Sequence, residues 1–317
     1  MLFARFPVLL LAVLSAPLNA WTLQGQEYAF TPINNHVHVM HGPLGVPSLA
    51  NQGFMNNPGF VTTDTGVVLI DPGSSLHVGR KILEEMQKIT NRPVLAVFNS
   101  HIHGDHWLGN QAVRERYPDA PIYGQASMID QANDSPGVNW LNLMLTLTEG
   151  ASEGTRVSAP DQAVVDGQVI EIDGHHFRIH APTPAHTNTD IMVEHVESRT
   201  VFLGDNGFNQ RMGRFDSSGS IMGTIDALAT ISSGDITWFV PGHGDSGPAD
   251  RVVAPYLSYL RKLNSKVAAG YEEGLADYEI KELVAADFED MSSWSGFDEQ
   301  FGPNINKMFL EIEEADF

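Results

Sequence analysis

Between residues 93 and 107 an interior strand runs straight into four potential metal ligands. Val94-Leu95-Ala96-Val97-Phe98, bounded by Pro93 and Asn99, is an apolar, β-branched run of the kind that forms a buried strand. His101, His103, Asp105 and His106 then fall within six residues, and Trp107 to Val113 reads as the start of a helix. The ligands sit on the loop leaving a strand's carboxyl end, where rigid scaffolds present chemistry. Imidazole together with carboxylate suits zinc and other borderline metals. Gly104 lets the backbone turn tightly, so that side chains on either side of it converge.

Composition narrows the options. The 317 residues contain no cysteine, which excludes disulfides, thiolate zinc sites, iron–sulfur clusters and cysteine nucleophiles. Any metal must be held by His and carboxylates. The 39 acidic against 18 basic residues give a formal charge of -21, and a surface this acidic repels phosphate backbones, so nucleic acid is not expected as a partner. Residues 1–20 read as a signal peptide: Arg5 supplies a positive start, Val8 to Ser15 an apolar stretch, and Leu18-Asn19-Ala20 a cleavage site before Trp21. An uncleaved anchor is the other reading, but the apolar run is short for a membrane span. The mature chain, 21–317, is expected to be soluble, periplasmic or secreted, with no membrane contact after cleavage.

Along the chain, Val37 and Val39 alternate with His36, His38 and Met40, the period of a strand near the rim of a pocket. His36, His38 and His41 as a second metal cluster is the sharper and less favoured reading. Residues 42–58 form a long loop with Gly42, Pro43, Gly45, Pro47, Gly53 and Pro58 among apolar side chains, which fits a mobile flap and a packed surface loop equally. Phe60–Thr63 and Val67–Ile70 predict a hairpin that breaks at Asp71-Pro72-Gly73. Ser74-Ser75 is expected to cap a helix to about Ile89, and 126–150 is expected to be mostly helical. Residues 151–166 read as a connector. Two hairpins follow, 168–172 with 176–180 and 191–196 with 200–203, then a helix over 222–231 and a strand over 236–240. From about 250 the chain is read as a helical extension, with Pro255 early in its first helix and Pro303 before its last. The order is that of two similar halves, each a sheet followed by covering helices, which implies two sheets face to face with helices outside.

Three further candidate ligands stand at the ends of expected strands: His186 in Pro182-Thr183-Pro184-Ala185-His186, Asp205 in Phe202-Leu203-Gly204-Asp205, and His243 in Pro241-Gly242-His243-Gly244. The series His101-x-His103-x-Asp105-His106, His186, Asp205, His243 resembles the metallo-β-lactamase superfamily over nearly the whole mature chain. The resemblance implies an α/β fold (α+β by some schemes), a four-layer αββα sandwich with the site at one edge. It also implies two Zn2+ per chain, with Mn or Fe as possible substitutes. One ion would be held by His101, His103 and His186, the other by Asp105, His106 and His243, with Asp205 bridging. Asp71 and Asp190 would accept ligand imidazole N–H bonds. A hydroxide shared by the two ions would attack a small-molecule substrate at an ester, lactone, thioester or amide-type bond, with Asp105 orienting it and shuttling its proton.

Within the family, the leader, the Ala50-Asn51-Gln52-Gly53 to Asn57-Pro58-Gly59 segment and the Asn304-to-Glu311 end are similar to periplasmic quinoprotein-relay-type zinc metallohydrolases. A true β-lactamase is the alternative. Against it, the first lactamase subclass has Cys where this chain has Asp205, and a carboxylate-gripping Lys where it has Phe208. Arg211 and Arg214 read either as surface charges or as substitutes for that Lys. A non-catalytic or redox metal-binding protein is the third reading.

Overall fold

The structure is a computed structural model, and it describes residues 21–316. The expected leader, 1–20, lies outside the described residues. The chain opens with a small hairpin, β1 (Trp21–Leu23) and β2 (Gln26–Tyr28). A seven-stranded sheet follows in sequential order: β3 (Thr31–Pro32), β4 (Val37–Val39), β5 (Gly59–Thr62), β6 (Val67–Ile70), β7 (Val94–Phe98), β8 (Ile122–Gln125) and β9 (Gln162–Val164). It is antiparallel to β6 and parallel from there on. The second sheet has five strands: β10 (Val169–Ile172), β11 (His175–His180), β12 (Met192–His195), β13 (Thr200–Phe208) and β14 (Trp238–His243). Only its last pair is parallel.

Alternation of side chains across each strand makes the layers. In β6, Val67 and Leu69 face outward, joining a helix-side core with Ile82, Met86 and Val113. Val68 and Ile70 face inward and join Phe98, Phe177, Ile179, Val193 and Val240, which come from both sheets. The outer layer on the first sheet is built on α1 (Leu76–Gln87), where Ser75 Oγ accepts from Val78 N at 3.1 Å as an N-cap. The single turn α2 (Gly104–Trp107) leads into α3 (Asn110–Arg116), which packs on α1, while α2 itself packs with α4 (Ala126–Ala132) and α5 (Ser135–Leu147) around Trp107, Met128 and Met144. The second sheet is covered by α6 (Ile221–Ser232), α7 (Ala249–Glu272), α8 (Asp277–Val284) and α9 (Phe297–Ala315), which share a core with Leu203 and Phe239. This is the αββα sandwich.

The structure departs from the sequence reading at four points. The connector 151–166 contains β9, an edge strand that extends the first sheet. The strand ending at 203 continues to Phe208, and the one ending at 240 continues to His243, so Asp205 and His243 lie within strands. Pro303 lies inside α9 rather than before it. The 42–58 loop divides: Val46 and Leu49 are exposed, but Gly53 to Pro58 is buried and bonded to the site, so that half is no flap. Among the described residues no helix is long and apolar enough to cross a membrane.

Candidate metal centre

Seven side chains converge where β7, β11, β13 and β14 end. The loop after β7 brings His101 and His103. The turn α2 then rotates Asp105 and His106 to a second position, so the Gly104 turn does divide the cluster in two. His101, His103, His186 and Asp205 form one group and Asp105, His106 and His243 the other, the ligand atoms within each lying within 4.8 Å of one another. Asp205 faces both. Its Oδ2 lies 3.8 Å from His101 Nε2 and 3.5 Å from His186 Nε2, while its Oδ1 lies 3.1 Å from His106 Nε2 and 3.3 Å from His243 Nε2. Asp105 Oδ2 lies 3.3 Å from His243 Nε2 and 3.4 Å from His106 Nε2. Gly242 is required beside this carboxylate, because a Cβ there would overlap Asp205 Oδ1.

Hydrogen bonds on the far sides of the rings select the tautomers. His106 Nδ1 donates to Asp71 Oδ2 at 2.8 Å. Ser100 Oγ donates to the same oxygen at 2.7 Å and so accepts from His101 Nδ1 at 2.9 Å. Both rings then direct Nε2 inward, the nitrogen through which each would ligate. His243 Nδ1 donates to Met55 O at 2.9 Å; Arg211 Nη1 also lies 2.9 Å from that nitrogen, but ligation through Nε2 requires the tautomer bonded to Met55. His103 is reversed. Its Nδ1 faces His186 Nε2 at 3.1 Å, and its Nε2 lies 3.6 Å from Asp216 Oδ2 on the outside.

The inner atoms behave as ligands without a partner. His101 Nε2, His106 Nε2, Asp105 Oδ2 and Asp205 Oδ1 are all buried and make no hydrogen bond. Native interiors rarely leave such atoms unsatisfied, and these are of the types that bind a borderline divalent metal. The residues therefore fit a metal in each group. Electrostatics agree. Burial, with the neighbouring rings adding, holds His101 well below the ordinary imidazole range, and burial holds His186 down to about 3, so both present lone pairs. Burial opposes charge on His106 too, but Asp105, Asp205 and Asp71 outweigh it and hold a proton on the ring, a cation standing in the second group. Burial likewise opposes the anions Asp105 and Asp205, yet His106 and His243 hold both carboxyls well below the usual range.

All seven expected ligands thus come together, and Asp71 contacts a ligand ring as expected. Asp190 does not: its oxygens accept from Thr187 N at 2.8 Å and Thr187 Oγ1 at 2.6 Å, so it braces the turn that carries His186. Burial pushes its carboxyl up to about 8. Arg211 is placed beside the centre and Arg214 is exposed. The sequence reading missed Ser100, Asp216 and the Met55 carbonyl. Ser100 was legible in principle, as the polar residue between the strand and His101; the other two depend on long-range packing. His36, His38 and His41 do not cluster: His38 stacks on Phe60 and His41 Nε2 meets Ser246 Oγ at 3.0 Å.

Comparison with known proteins agrees with this geometry. The family model for the Metallo-beta-lactamase superfamily matches residues 51–243, more than half of the chain. The chain is 25% identical over 186 residues to a hydroxyacylglutathione hydrolase of Synechococcus sp. (strain JA-2-3B'a(2-13)), covering 58% of this chain and 60% of that one. It is 29% identical over 101 residues to a linear primary-alkylsulfatase of Pseudomonas sp. (strain ATCC 19151), covering 31% of this chain and 19% of that one. It therefore spans less than two thirds of either relative. Its fold is shared with a metallo-beta-lactamase from Pontibacter korlensis at a TM-score of 0.57 and 18% identity, over 74% of this chain and 99% of that one. The chain belongs to the metallo-beta-lactamase superfamily.

Proposed function

We propose that this chain is an exported hydrolase that uses two zinc ions, with manganese or iron as substitutes, to cleave an ester, lactone, thioester or amide-type bond in a small molecule. The observation that carries the reading is the division of Asp205, one carboxylate oxygen toward each group of ligands. His101, His103 and His186 would hold one ion, Asp105, His106 and His243 the other, and Asp205 both. When bound, the ions supply Lewis acidity for activating water and polarising the electrophile. The hydrolase name of the Synechococcus relative supports the reaction class, and the leader read at residues 1–20 supports export.

The chain's own groups do the rest. Asp105 stays anionic beside His106 and His243, so its carboxylate can accept the proton that an attacking water gives up. Trp140 lies against the His103 ring at 4.7 Å between centroids and Phe215 against His186 at 5.8 Å, giving apolar walls beside the first group. Arg211, next to His243, supplies a cation at the other end. A substrate with an apolar part and an anionic group fits between them. That cation is also the observation favouring β-lactams, whose carboxylate it would meet, as a second substrate class.

The test joins metal analysis of purified mature protein to a hydrolysis screen of esters, lactones, thioesters and β-lactams. Two ions bound at this centre, and turnover abolished by chelation, are expected. One ion at this centre, or metal without turnover across the panel, would overturn the proposal.

A further inference from the structure

A second imidazole cluster lies at the opposite edge of the sandwich. His195 ends β12 and pairs with Thr200, the first residue of β13. Asp205 stands five residues further along β13, roughly 16 Å away at strand rise. Here His175 Nδ1 lies 2.8 Å from His195 Nε2, and Glu197 Oε2 lies 3.2 Å from the same nitrogen. The ligand atoms of His175, His195 and Glu197 all fall within 4.8 Å of one another. His36 comes from the other sheet, just before β4, with its ring 5.0 Å from that of His175 and 5.9 Å from that of His195. His195 is fully buried, His175 nearly so, and Glu197 is exposed at the rim.

The outer atoms of these side chains are already held. Glu197 Oε1 accepts from His176 Nδ1 at 2.6 Å, and His176 N is shared between Oε1 and Oε2 at 3.1 Å each. His36 Nδ1 donates to Thr62 O at 3.2 Å, which fixes the lone pair on its Nε2. His195 Nδ1 meets Ser198 Oγ at 2.7 Å, and that hydroxyl can donate onward to His195 O at 3.4 Å, leaving Nε2 bare. A tetrahedral zinc with ligands at about 2.0–2.1 Å has ligand–ligand edges of about 3.3 Å; His195 Nε2 stands 3.2 Å from Glu197 Oε2 and 2.8 Å from His175 Nδ1, and the His36 ring would turn toward them to complete the set.

We propose that His175, His195 and Glu197, with His36 as a fourth ligand, form a separate site for one divalent transition-metal ion of the zinc type. Bound there, the ion ties the two sheets together, because His36 belongs to one and His175 and His195 to the other. It is a structural clip that takes no part in hydrolysis. Burial, with His175 and His36 adding, holds His195 down to about 4, so the ring is neutral and able to ligate near pH 7.

The experiment removes the main centre first. The His101→Ala/His106→Ala variant, stripped with chelator, is titrated with Co2+ and Zn2+. One ion per chain, a visible Co2+ absorption band and a zinc-dependent rise in Tm are expected. Adding His195→Gln should weaken binding at least tenfold and remove both signals, and Glu197→Gln, a surface change, should weaken it less. If the double variant does not fold, zinc is counted in holoprotein with and without Glu197→Gln and His175→Gln, where a loss of one ion is expected. A zinc count and a Tm response unaffected by these substitutions would overturn the proposal and leave the 2.8 Å contact as a plain imidazole–imidazole hydrogen bond. Either outcome is read apart from the hydrolase proposal, since no turnover is measured.

Discussion

Asp71 accepts a hydrogen bond from His106 Nδ1 at 2.8 Å, and this contact decides which nitrogen of His106 is left to bind a metal. The same carboxylate takes Ser100 N and Ser100 Oγ, and through Ser100 it orients His101. One residue at the end of β6 therefore aims a ligand in each group. Asp71 also sits at φ +50, a left-handed conformation that Asn tolerates and most residues do not.

Asp71→Asn therefore keeps the backbone and an acceptor while removing the charge. Partners of this kind are worth about 10–100-fold in metal affinity. We expect binding about tenfold weaker, read by competition with a chromophoric chelator. Unchanged affinity would show that Asp71 only shapes the turn.

Asn57 ties the loop 51–58 to the turn that carries His243. Its Nδ2 donates to Pro241 O at 2.9 Å and Gly244 O at 2.6 Å, all buried. Asn57→Ala leaves both carbonyls unpartnered, each costing about 1–3 kcal/mol. A loss of about 2 kcal/mol or more is expected in urea unfolding of the metal-free protein, and a loss below about 0.5 kcal/mol would count against this role.

What the sequence disclosed and what it withheld separate along physical lines. The ligands were legible because chemistry restricts them to His and Asp, and because strand ends place them. The layers were legible because β6 and β7 are apolar on both faces. The edge strand β9 was hidden: Gln162 and Ala163 are exposed and only Val164 is buried, so no alternation marked it. Asp190 misled because a carboxylate four residues from His186 reads equally as a ring acceptor or a turn brace, and only the fold shows that Thr187 claims it. The partners of His36 were hidden for a related reason: its ring lies against those of His175 and His195, far away in sequence, and only the fold brings the three together.

Asp205 is the residue both groups share, so its removal should not resemble the loss of one ligand. Asp205→Ala strips a carboxylate oxygen from each group at once. We expect zinc content to fall at both and turnover to drop about 100-fold or more, at the upper end of such effects. Retention of two tightly held ions and full activity would refute the shared arrangement.

Acid should empty the two groups in order. In the metal-free centre His106 holds its proton well above the ordinary imidazole range, because three carboxylates outweigh the effect of burial. A metal on its side must displace that proton, so loading there strengthens as pH rises and weakens as pH falls. His101 and His186 are shifted the other way, His186 to about 3, and give up no proton on binding near neutrality. The group of His101, His103 and His186 should therefore keep its ion at a pH where the group of Asp105, His106 and His243 has lost its own. Dialysis of holoprotein against buffers from about pH 8 down to about pH 5, followed by metal analysis, should show zinc lost in two steps. The first step should disappear in His106→Ala. A single step, or an unchanged profile in that variant, would show that the His106 proton does not compete with the metal.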